Sequence, residues 1–169
     1  GAIRGQVARL THTVRQLLDY SRPSAAEPRA TSLRQVLDSA VAAITPELEV
    51  AGRQLEVEAD NAQTLPTVKG DPGRLELALL NLLRNALQAS EQRLQVRLSQ
   101  QHGQLRIDID DDGPGLPEAS HEQLLEPFFT TKPPGEGTGL GLAIVNTIAE
   151  EHGGQLVLDS SPLGGCRAS

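Results

Sequence analysis

The start of the chain carries the hydrophobic spacing of a helix that packs against other helices. Apolar side chains recur at alternating intervals of four and three residues, at Ile3, Val7, Leu10, Val14 and Leu17. This spacing is typical of the contact seam of a coiled coil or of one helix in a four-helix bundle. It predicts a long helix over residues 1–21. Two prolines and several small polar residues follow, so we expect residues 22–30 to be a linker.

From residue 31 onward, helical and extended patterns alternate. Helical periodicity begins after a capping signature at Ser32 and again after Asp71, and a last helix is expected to end before Gly153. Alternation of apolar and polar residues predicts strands around residues 55–59, 94–98, 105–109 and 156–158. We therefore expect residues 31–169 to form one α/β (α+β) two-layer sandwich. Its sheet should be mixed and mostly antiparallel, with helices packed on one face.

The composition limits the ligands and the surroundings of this domain. A formal charge of -7 over 169 residues provides no general attraction to nucleic acid or to an acidic membrane, so an anionic ligand must be held locally. A single cysteine cannot form a disulfide within the chain. No apolar run approaches the roughly 18 residues needed to cross a bilayer. We expect a cytoplasmic domain that contacts neither nucleic acid nor membrane.

Two asparagines interrupt the apolar pattern of the helix that follows Asp71. Asn81 and Asn85 are four residues apart, so their amides project from the same side of the helix. Asparagine is a weak helix former, and amides within an apolar run need polar partners. These partners could be a ligand or neighbouring loops, and the spacing alone leaves both alternatives open.

An aspartate at the end of the strand predicted at 105–109 falls on its buried side. Alternation directs the apolar residues of this strand towards the core, and Asp111 has the same parity while Asp110 and Asp112 have the other. A buried carboxylate needs a donor, for example the exocyclic amine of a purine, and Gly113 and Gly115 would let a flat ligand approach the backbone. The alternative is that Asp111 caps its own turn.

A glycine-rich segment at residues 135–142 leads directly into the last predicted helix. Glycines at a helix start leave backbone N–H groups available for phosphate oxygens, although the spacing fits neither the P-loop nor the dinucleotide fingerprint. Just before it, Phe128, Phe129 and Lys132 precede a proline- and glycine-rich stretch, which suits a lid on aromatic anchors with Lys132 reaching a phosphate. The alternatives are a flexible linker and a phenylalanine that simply joins the core.

Four segments, NLLRNA, DDGPGL, EPFFTTK and GTGLGLAIV, resemble in this order the asparagine, first glycine, phenylalanine and second glycine boxes of the sensor histidine kinases. Gly164-Gly165-Cys166 is similar to the third glycine box, with cysteine where threonine is common. The resemblance covers about residues 31–169 and implies the ATP-binding sandwich shared with DNA gyrase, the mismatch-repair ATPases and the heat-shock chaperone ATPases. Residues 1–21 resemble the C-terminal part of the second helix of the kinase dimerisation bundle.

The resemblance also implies roles for individual residues, with ATP and Mg²⁺ as cofactors. Asn85 would coordinate magnesium, Asn81 would help to place the phosphates, and Asp111 would accept a hydrogen bond from the adenine amine. Gly113 and Gly115 would shape the adenine pocket. Beside the roles that the resemblance implies, we expect Lys132, placed to reach a phosphate by its position in the lid, to serve catalysis together with Asn81. The segment wrapping the phosphates would be Gly137, Thr138, Gly139, Leu140 and Gly141.

The residue types favour phosphoryl transfer over ATP hydrolysis. Water-activating ATPases of this superfamily carry glutamate where this chain has Asn81, and an amide cannot act as a general base. The acceptor pattern H-E-x-R-x-P-L is absent. His12 falls opposite the heptad seam and is interpreted as solvated, and His152 falls at a helix C-terminus, where a cation is favourable.

We therefore expect the γ-phosphoryl group to go to a histidine outside this chain, and this chain alone not to phosphorylate itself. The expected partners are a second kinase protomer through the dimerisation helix, a phosphoacceptor histidine domain and a response regulator. Two alternatives remain at this point. One is a serine kinase of the anti-sigma-factor type, and the other is a nucleotide-free interaction module with degenerate boxes.

Overall fold

The computed structural model describes residues 28–60, 65–133 and 137–169. The helix predicted at residues 1–21, most of the predicted linker and His12 lie outside these ranges. Within them, no helix combines the length and the apolar character that crossing a membrane requires.

The described residues form helices and strands close to the predicted positions. The strands are β1 (Arg29–Thr31), β2 (Gln54–Ala59), β3 (Val68–Gly70), β4 (Arg93–Gln101), β5 (Gln104–Asp111), β6 (Leu158–Ser160) and β7 (Cys166–Ala168). The helices are α1 (Leu33–Ala51), α2 (Pro72–Ala89), α3 (His121–Leu125) and α4 (Gly141–Glu151). The predicted linker overlaps β1, where Arg29 and Ala30 pair with Gly70 and Lys69.

The main sheet has five strands in the order β2-β4-β5-β7-β6, and β1 pairs with β3 in a separate two-stranded sheet. β2 runs parallel to β4, and the other neighbours in the main sheet are antiparallel. The parallel pair is possible because α2 lies between β2 and β4 in the chain and serves as the crossover. The sheet is therefore mixed and mostly antiparallel, as predicted.

Helix α2 packs between α1 and α4 on one side of the main sheet. Its apolar face joins those of the neighbouring helices and of the central strands in one hydrophobic core. The most deeply buried members of this core include Leu37, Ile44, Leu83, Val96, Leu98, Ile109, Ile144 and Ile148. The two-layer arrangement of the prediction is confirmed, and it fixes the direction in which α2 and α4 present their polar side chains.

The face of the sheet opposite the helices carries polar residues, yet two of its acids are buried. Asp108 and Asp110 are only 4% and 1% exposed. Arg167 on β7 donates two hydrogen bonds to the Asp110 carboxylate, at 2.9 and 2.8 Å. Arg106 and Ser169 donate to Asp108 Oδ1 at 2.6 and 2.5 Å. The alternation along the strand correctly placed Asp110 and Asp111 on opposite faces of the sheet. It gave no indication that Asp110 is buried.

Candidate functional site

The two asparagines are positioned by a firmly capped helix. Asp71 precedes α2 and accepts hydrogen bonds from the backbone N–H groups of Gly73 and Arg74, at 2.9 and 3.3 Å, with proline in the first helical position. This geometry satisfies donors that an uncapped helix would leave open. Asn81 and Asn85 follow on the side of α2 that faces α4.

The start of α4 lies directly against both asparagine side chains. A Cβ atom placed on Gly141 would be 3.4 Å from Asn81 Oδ1 and 3.5 Å from Asn85 Nδ2. Asn81 donates from Nδ2 to the carbonyl of Leu77 at 2.9 Å, so part of its polar capacity is used within the helix. The Asn85 side chain has no hydrogen-bonding partner in the described part of the chain. The amides therefore face the glycine-rich segment, and Asn85 keeps its oxygen available for a ligand.

No side chain from the described ranges caps helix α4. Its N-cap residue is Leu140, which is fully buried and has no side-chain hydrogen bond to the first turn. The first N–H groups of a helix have no partners within it, so they can bind an anion. Thr138 Oγ1 accepts from the Leu140 amide at 3.4 Å, outside the helix itself.

The approach to α4 is held by backbone contacts. Gly139 has a φ of +66°, and a Cβ on it would lie 2.3 Å from the carbonyl carbon of Phe128. The Phe128 amide donates to the Gly139 carbonyl at 2.9 Å, and Phe128 itself has a φ of +70°. The Phe128 side chain is 65% exposed. The interpretation that aromatic side chains anchor this segment is therefore wrong for Phe128, because its backbone makes the contact.

Asp111 lies at the end of β5 and is 4% exposed. Its Oδ1 accepts hydrogen bonds from the amides of Gly113 at 2.9 Å and Cys166 at 3.2 Å. Its Oδ2 has no hydrogen-bonding partner among the described residues. Both sequence interpretations thus describe part of the geometry, since one oxygen caps the turn and the other is left for a donor. Burial raises the pKa of Asp111, the two amide hydrogen bonds oppose this, and the charges of Asp112 and Asp110 add to it.

Three chain segments meet around Asp111 at distances that exclude side chains. A Cβ on Gly113 would lie 2.3 Å from the carbonyl oxygen of Ala89, and one on Gly165 would lie 2.1 Å from Asp111 Oδ1. Gly115 adopts a φ of +87°. The end of α2, the end of β5 and the start of β7 therefore form a closely packed floor beneath the carboxylate.

The site extends along one side of α2. Asn81, Asn85 and Ala89 are spaced four residues apart and lie on the same side of the helix. Gly141 approaches the first two and Gly113 approaches the third. At 1.5 Å per residue, the two ends are about 12 Å apart. One end offers amides and helix N–H groups, and the other offers a buried carboxylate.

Two contributors were not assigned by the sequence. Gly165, from the segment similar to the third glycine box, packs on Asp111. The pair Gly164-Gly165 was the sole feature of the sequence that pointed to this segment. Gln88 follows Asn85 by three residues on the same side of α2, and its Oε1 accepts a hydrogen bond from Lys132 Nζ. Lys132 is thereby held beside Asn81 and Asn85, which we call the asparagine row of α2. Gly137 permits this, because a Cβ there would lie 2.6 Å from Thr130 Oγ1 and 3.1 Å from Lys132 Cδ.

Comparison with known proteins identifies the family. The family model described as histidine kinase-, DNA gyrase B-, and HSP90-like ATPase matches residues 70–169. The chain belongs to this family. The matched residues include α2, the end of β5 and the start of α4.

The relatives of this ATPase domain are sensor histidine kinases. Sensor histidine kinase ZraS of Escherichia coli O157:H7 is 35% identical over 161 residues, which are 94% of this chain and 34% of that protein. Sensor histidine kinase CpxA of Escherichia coli strain K12 is 42% identical over 102 residues, 58% of this chain and 22% of that protein. The chain thus spans about a third or less of the curated relatives it matches.

Solved structures agree with this assignment. The nucleotide-free catalytic domain of histidine kinase ThkA superposes with a TM-score of 0.74 at 27% identity, covering 85% of this chain and 95% of that one. Full-length ShkA in complex with AMPPNP gives a TM-score of 0.80 at 26% identity, covering 99% of this chain and 36% of that one. The expected fold and the resemblance to an ATP-binding histidine kinase catalytic domain are confirmed. The two alternatives, a serine kinase and a nucleotide-free module, find no support.

Proposed function

We propose that this domain binds Mg-ATP along α2 and delivers the γ-phosphoryl group to a histidine of a protein segment outside the described residues. The observation that carries the proposal is the approach of two separate chain segments to one side of α2. Gly141 lies against Asn81 and Asn85. Gly113, whose amide donates a hydrogen bond to Asp111, lies against Ala89. A buried acceptor at one end and open helix donors at the other suit a nucleoside triphosphate that lies along the helix.

Asp111 would recognise the base. Its Oδ1 is fixed by the amides of Gly113 and Cys166, so Oδ2 has a defined direction and can accept from the exocyclic amine of adenine. A guanine presents a carbonyl oxygen at the equivalent ring position, and two acceptors would then face each other in a buried site. Such a mismatch leaves polar groups unpaired and strongly disfavours the wrong base. Gly113 and Gly115 leave the space that a flat ring needs.

The phosphates would lie at the start of α4. The N–H groups of Gly139 and Gly141 can donate to phosphate oxygens, and the positive end of the helix dipole favours the anion. Gly137, Thr138 and Leu140 complete this segment, with Leu140 fixing its position from the core. Lys132 is close enough to the asparagine row to exchange its contact with Gln88 for a phosphate oxygen. A cation there would neutralise charge that develops during transfer.

The residues present fit a magnesium ion held mainly by the nucleotide. Mg²⁺ prefers oxygen ligands and keeps several waters, so a site in a nucleotide-binding protein often uses one or two protein groups plus phosphates. The Asn85 amide oxygen is such a ligand and has no other partner among the described residues. When held by the Asn85 amide oxygen, the ion would offset the negative charge of the phosphates.

Transfer to a protein nucleophile follows from the amide at position 81. Asn81 can hold a phosphate by hydrogen bonding but cannot remove a proton from water. In the proposed reaction, the acceptor imidazole nitrogen forms a bond to the γ-phosphorus, and the bond from that phosphorus to the bridging oxygen of ADP breaks. The domain contributes binding, alignment and charge stabilisation.

The proposed partners are the phosphoacceptor histidine domain, a second kinase protomer bound through the dimerisation helix that the sequence predicts at residues 1–21, and a response regulator. A cytoplasmic location would give the domain access to both ATP and the regulator. The relatives supply the basis for these partners, because they are sensor kinases of which this chain matches only a part.

Calorimetry and phosphotransfer together test the proposal. Titration with ATP and magnesium should give a dissociation constant between about 1 μM and 1 mM, roughly -8 to -4 kcal/mol. Adding the parent protein's histidine domain and labelled ATP should produce a phosphohistidine, whose phosphorus–nitrogen bond is labile to acid and stable to base. No heat on titration at two well-separated temperatures would exclude nucleotide binding, and an acid-stable product would exclude histidine as the acceptor.

A further inference from the structure

His152 follows the last residue of α4 and reaches back to the beginning of α2. Its Nδ1 lies 2.7 Å from the carbonyl oxygen of Ile148, one turn earlier in α4. Its Nε2 accepts a hydrogen bond from the backbone amide of Asp71, the N-cap residue of α2, at 3.0 Å. One imidazole therefore joins the C-terminus of α4 to the N-terminus of α2.

These contacts define the protonation state of the ring. A backbone amide can only donate, so Nε2 must be the unprotonated nitrogen, and a carbonyl can only accept, so Nδ1 must carry the proton. The ring is the neutral Nδ1–H tautomer. A helix C-terminus favours a cation, but the imidazolium form would offer no acceptor to the backbone amide of Asp71.

The packing around the ring leaves it little freedom. A Cβ on Gly70 would lie only 2.6 Å from His152 Cδ2, so glycine is what allows the ring to approach. Arg74 and Glu151 form an ion pair at 2.5 Å beside it, again between α2 and α4. The charged groups near His152 on the two helices are thus Asp71, Arg74 and Glu151, and the first is engaged in capping α2.

Helix α4 contacts α2 at both of its ends. At the N-terminal end, Gly141 lies against Asn81 and Asn85, and at the C-terminal end, His152 binds Asp71. A helix held at both ends cannot slide or tilt along its neighbour without breaking one of these contacts. The position of the open N–H groups relative to the asparagine row therefore depends on the contact at the far end.

We propose that His152 is a positioning residue for the phosphate end of the site. It would act through the neutral Nδ1–H tautomer, by fixing the start of α4 against Asn81 and Asn85. This inference rests on the proposed function, since it assumes that the phosphates lie at the start of α4. It predicts an effect on the phosphates and not on the adenine, which is held by Asp111 at the end of β5.

The first experiment compares nucleotide affinities of His152 variants by calorimetry. His152→Phe keeps an aromatic ring at this position but removes both polar contacts. It should weaken ATP binding about three- to tenfold, the range expected for one or two lost hydrogen bonds. Adenosine affinity should stay unchanged. His152→Gln, whose amide oxygen can still accept from Asp71, should retain more ATP affinity than His152→Phe. His121→Gln on the short helix α3 is the matched control and should match the original chain.

Equal losses for ATP and adenosine would overturn the proposal, because they would show a general structural role. Equal affinities for the Phe and Gln variants would overturn it as well. If the unaltered chain binds no ATP, the proposed function fails, and the second experiment still tests the contact between His152 and the start of α2 in the absence of nucleotide.

The second experiment is a double-mutant cycle between Gly70 and His152, read by urea unfolding. Gly70→Ala should destabilise the unaltered chain by displacing the ring, and should have much less effect when His152 is already alanine. The same cost in both backgrounds would contradict the contact. Nitrogen NMR of the imidazole at about pH 8, where an ordinary histidine is neutral, should show a protonated Nδ1 and a bare Nε2. The opposite tautomer would refute the assignment.

Discussion

Replacing Asp111 with asparagine isolates the group on which base recognition depends. The amides of Gly113 and Cys166 both donate to Oδ1, so an asparagine must place its oxygen there and its NH₂ group at the position of Oδ2. The acceptor that faces adenine then becomes a donor. A hydrogen bond to a charged group is lost, about 1.5–3 kcal/mol, and two donors face each other, at a further cost of about 1–3 kcal/mol.

These two terms together predict a loss of about 2.5–6 kcal/mol in ATP binding, or roughly seventyfold to twenty-thousandfold in the dissociation constant. The fold should be little affected, because asparagine keeps the Oδ1 hydrogen bonds and removes a buried charge. We expect a change in unfolding free energy within about 1 kcal/mol. Calorimetric titration with Mg-ATP and urea unfolding measure the two quantities separately.

The neighbouring acid provides a matched control. Asp110→Asn changes the adjacent residue in the same way, but on the opposite face of the sheet, where the carboxylate is paired with Arg167. It should lower the unfolding free energy by about 2–3 kcal/mol, because the arginine loses its buried partner. ATP affinity should be unchanged in the folded fraction. If Asp111→Asn binds ATP within threefold of the original chain, or if Asp110→Asn weakens binding as much, Asp111 does not recognise the base.

Further predictions concern the metal, the packing and the pH dependence. Asn85→Ala should remove the gain in ATP affinity that magnesium provides, so titrations with magnesium and with EDTA should give equal constants. Lys132→Gln should weaken ATP binding more than ADP binding in the same titrations, and equal effects would exclude a contact with the γ-phosphate. Gly113→Ala should lower both stability and ATP affinity, since its Cβ would collide with the Ala89 carbonyl. Burial alone would raise the pKa of Asp108, but hydrogen bonds from neighbouring side chains outweigh it and lower the pKa. The stability that Asp108 provides should therefore be complete above its ordinary pKa of 3.8 and lost as pH falls through the lowered value. In urea unfolding, the difference between the original chain and Asp108→Asn should close over that range, and a constant difference would contradict the shift.

The sequence predicted those features that depend on local chemistry. Aspartate and proline before an apolar helix were sufficient to locate the start of α2, and Asp71 indeed caps it. The alternation along β5 directed Asp111 inwards because side chains alternate with a period of two. Helix periodicity likewise placed Asn81 and Asn85 on a common side, which the structure turns towards α4.

Features that depend on distant partners could not be predicted in this way. Asp110 is buried because Arg167, 57 residues away, reaches it once β7 pairs with β5. The positive φ of Phe128 has no local signal, since a bulky residue adopts it only when the surrounding chain requires it. The role of Gly165 also appears only when β7 is placed next to Asp111. In each case, the missing information was the position of a segment far away in the chain.

The burial of Leu140 has a consequence for how binding can vary among mutants. Its side chain is fully enclosed in the hydrophobic core, while Gly139 and Gly141 on either side line the proposed phosphate end of the site. In a variant library sorted once for folded protein and once for nucleotide binding, the two selections should therefore retain the same residues at position 140. At position 85 they should diverge, because the partly exposed Asn85 amide has no hydrogen-bonding partner among the described residues and can change with little loss of folding. Mutations at Asn81 and Asn85 can therefore change nucleotide affinity in a protein that still folds, whereas mutations at Leu140 cannot.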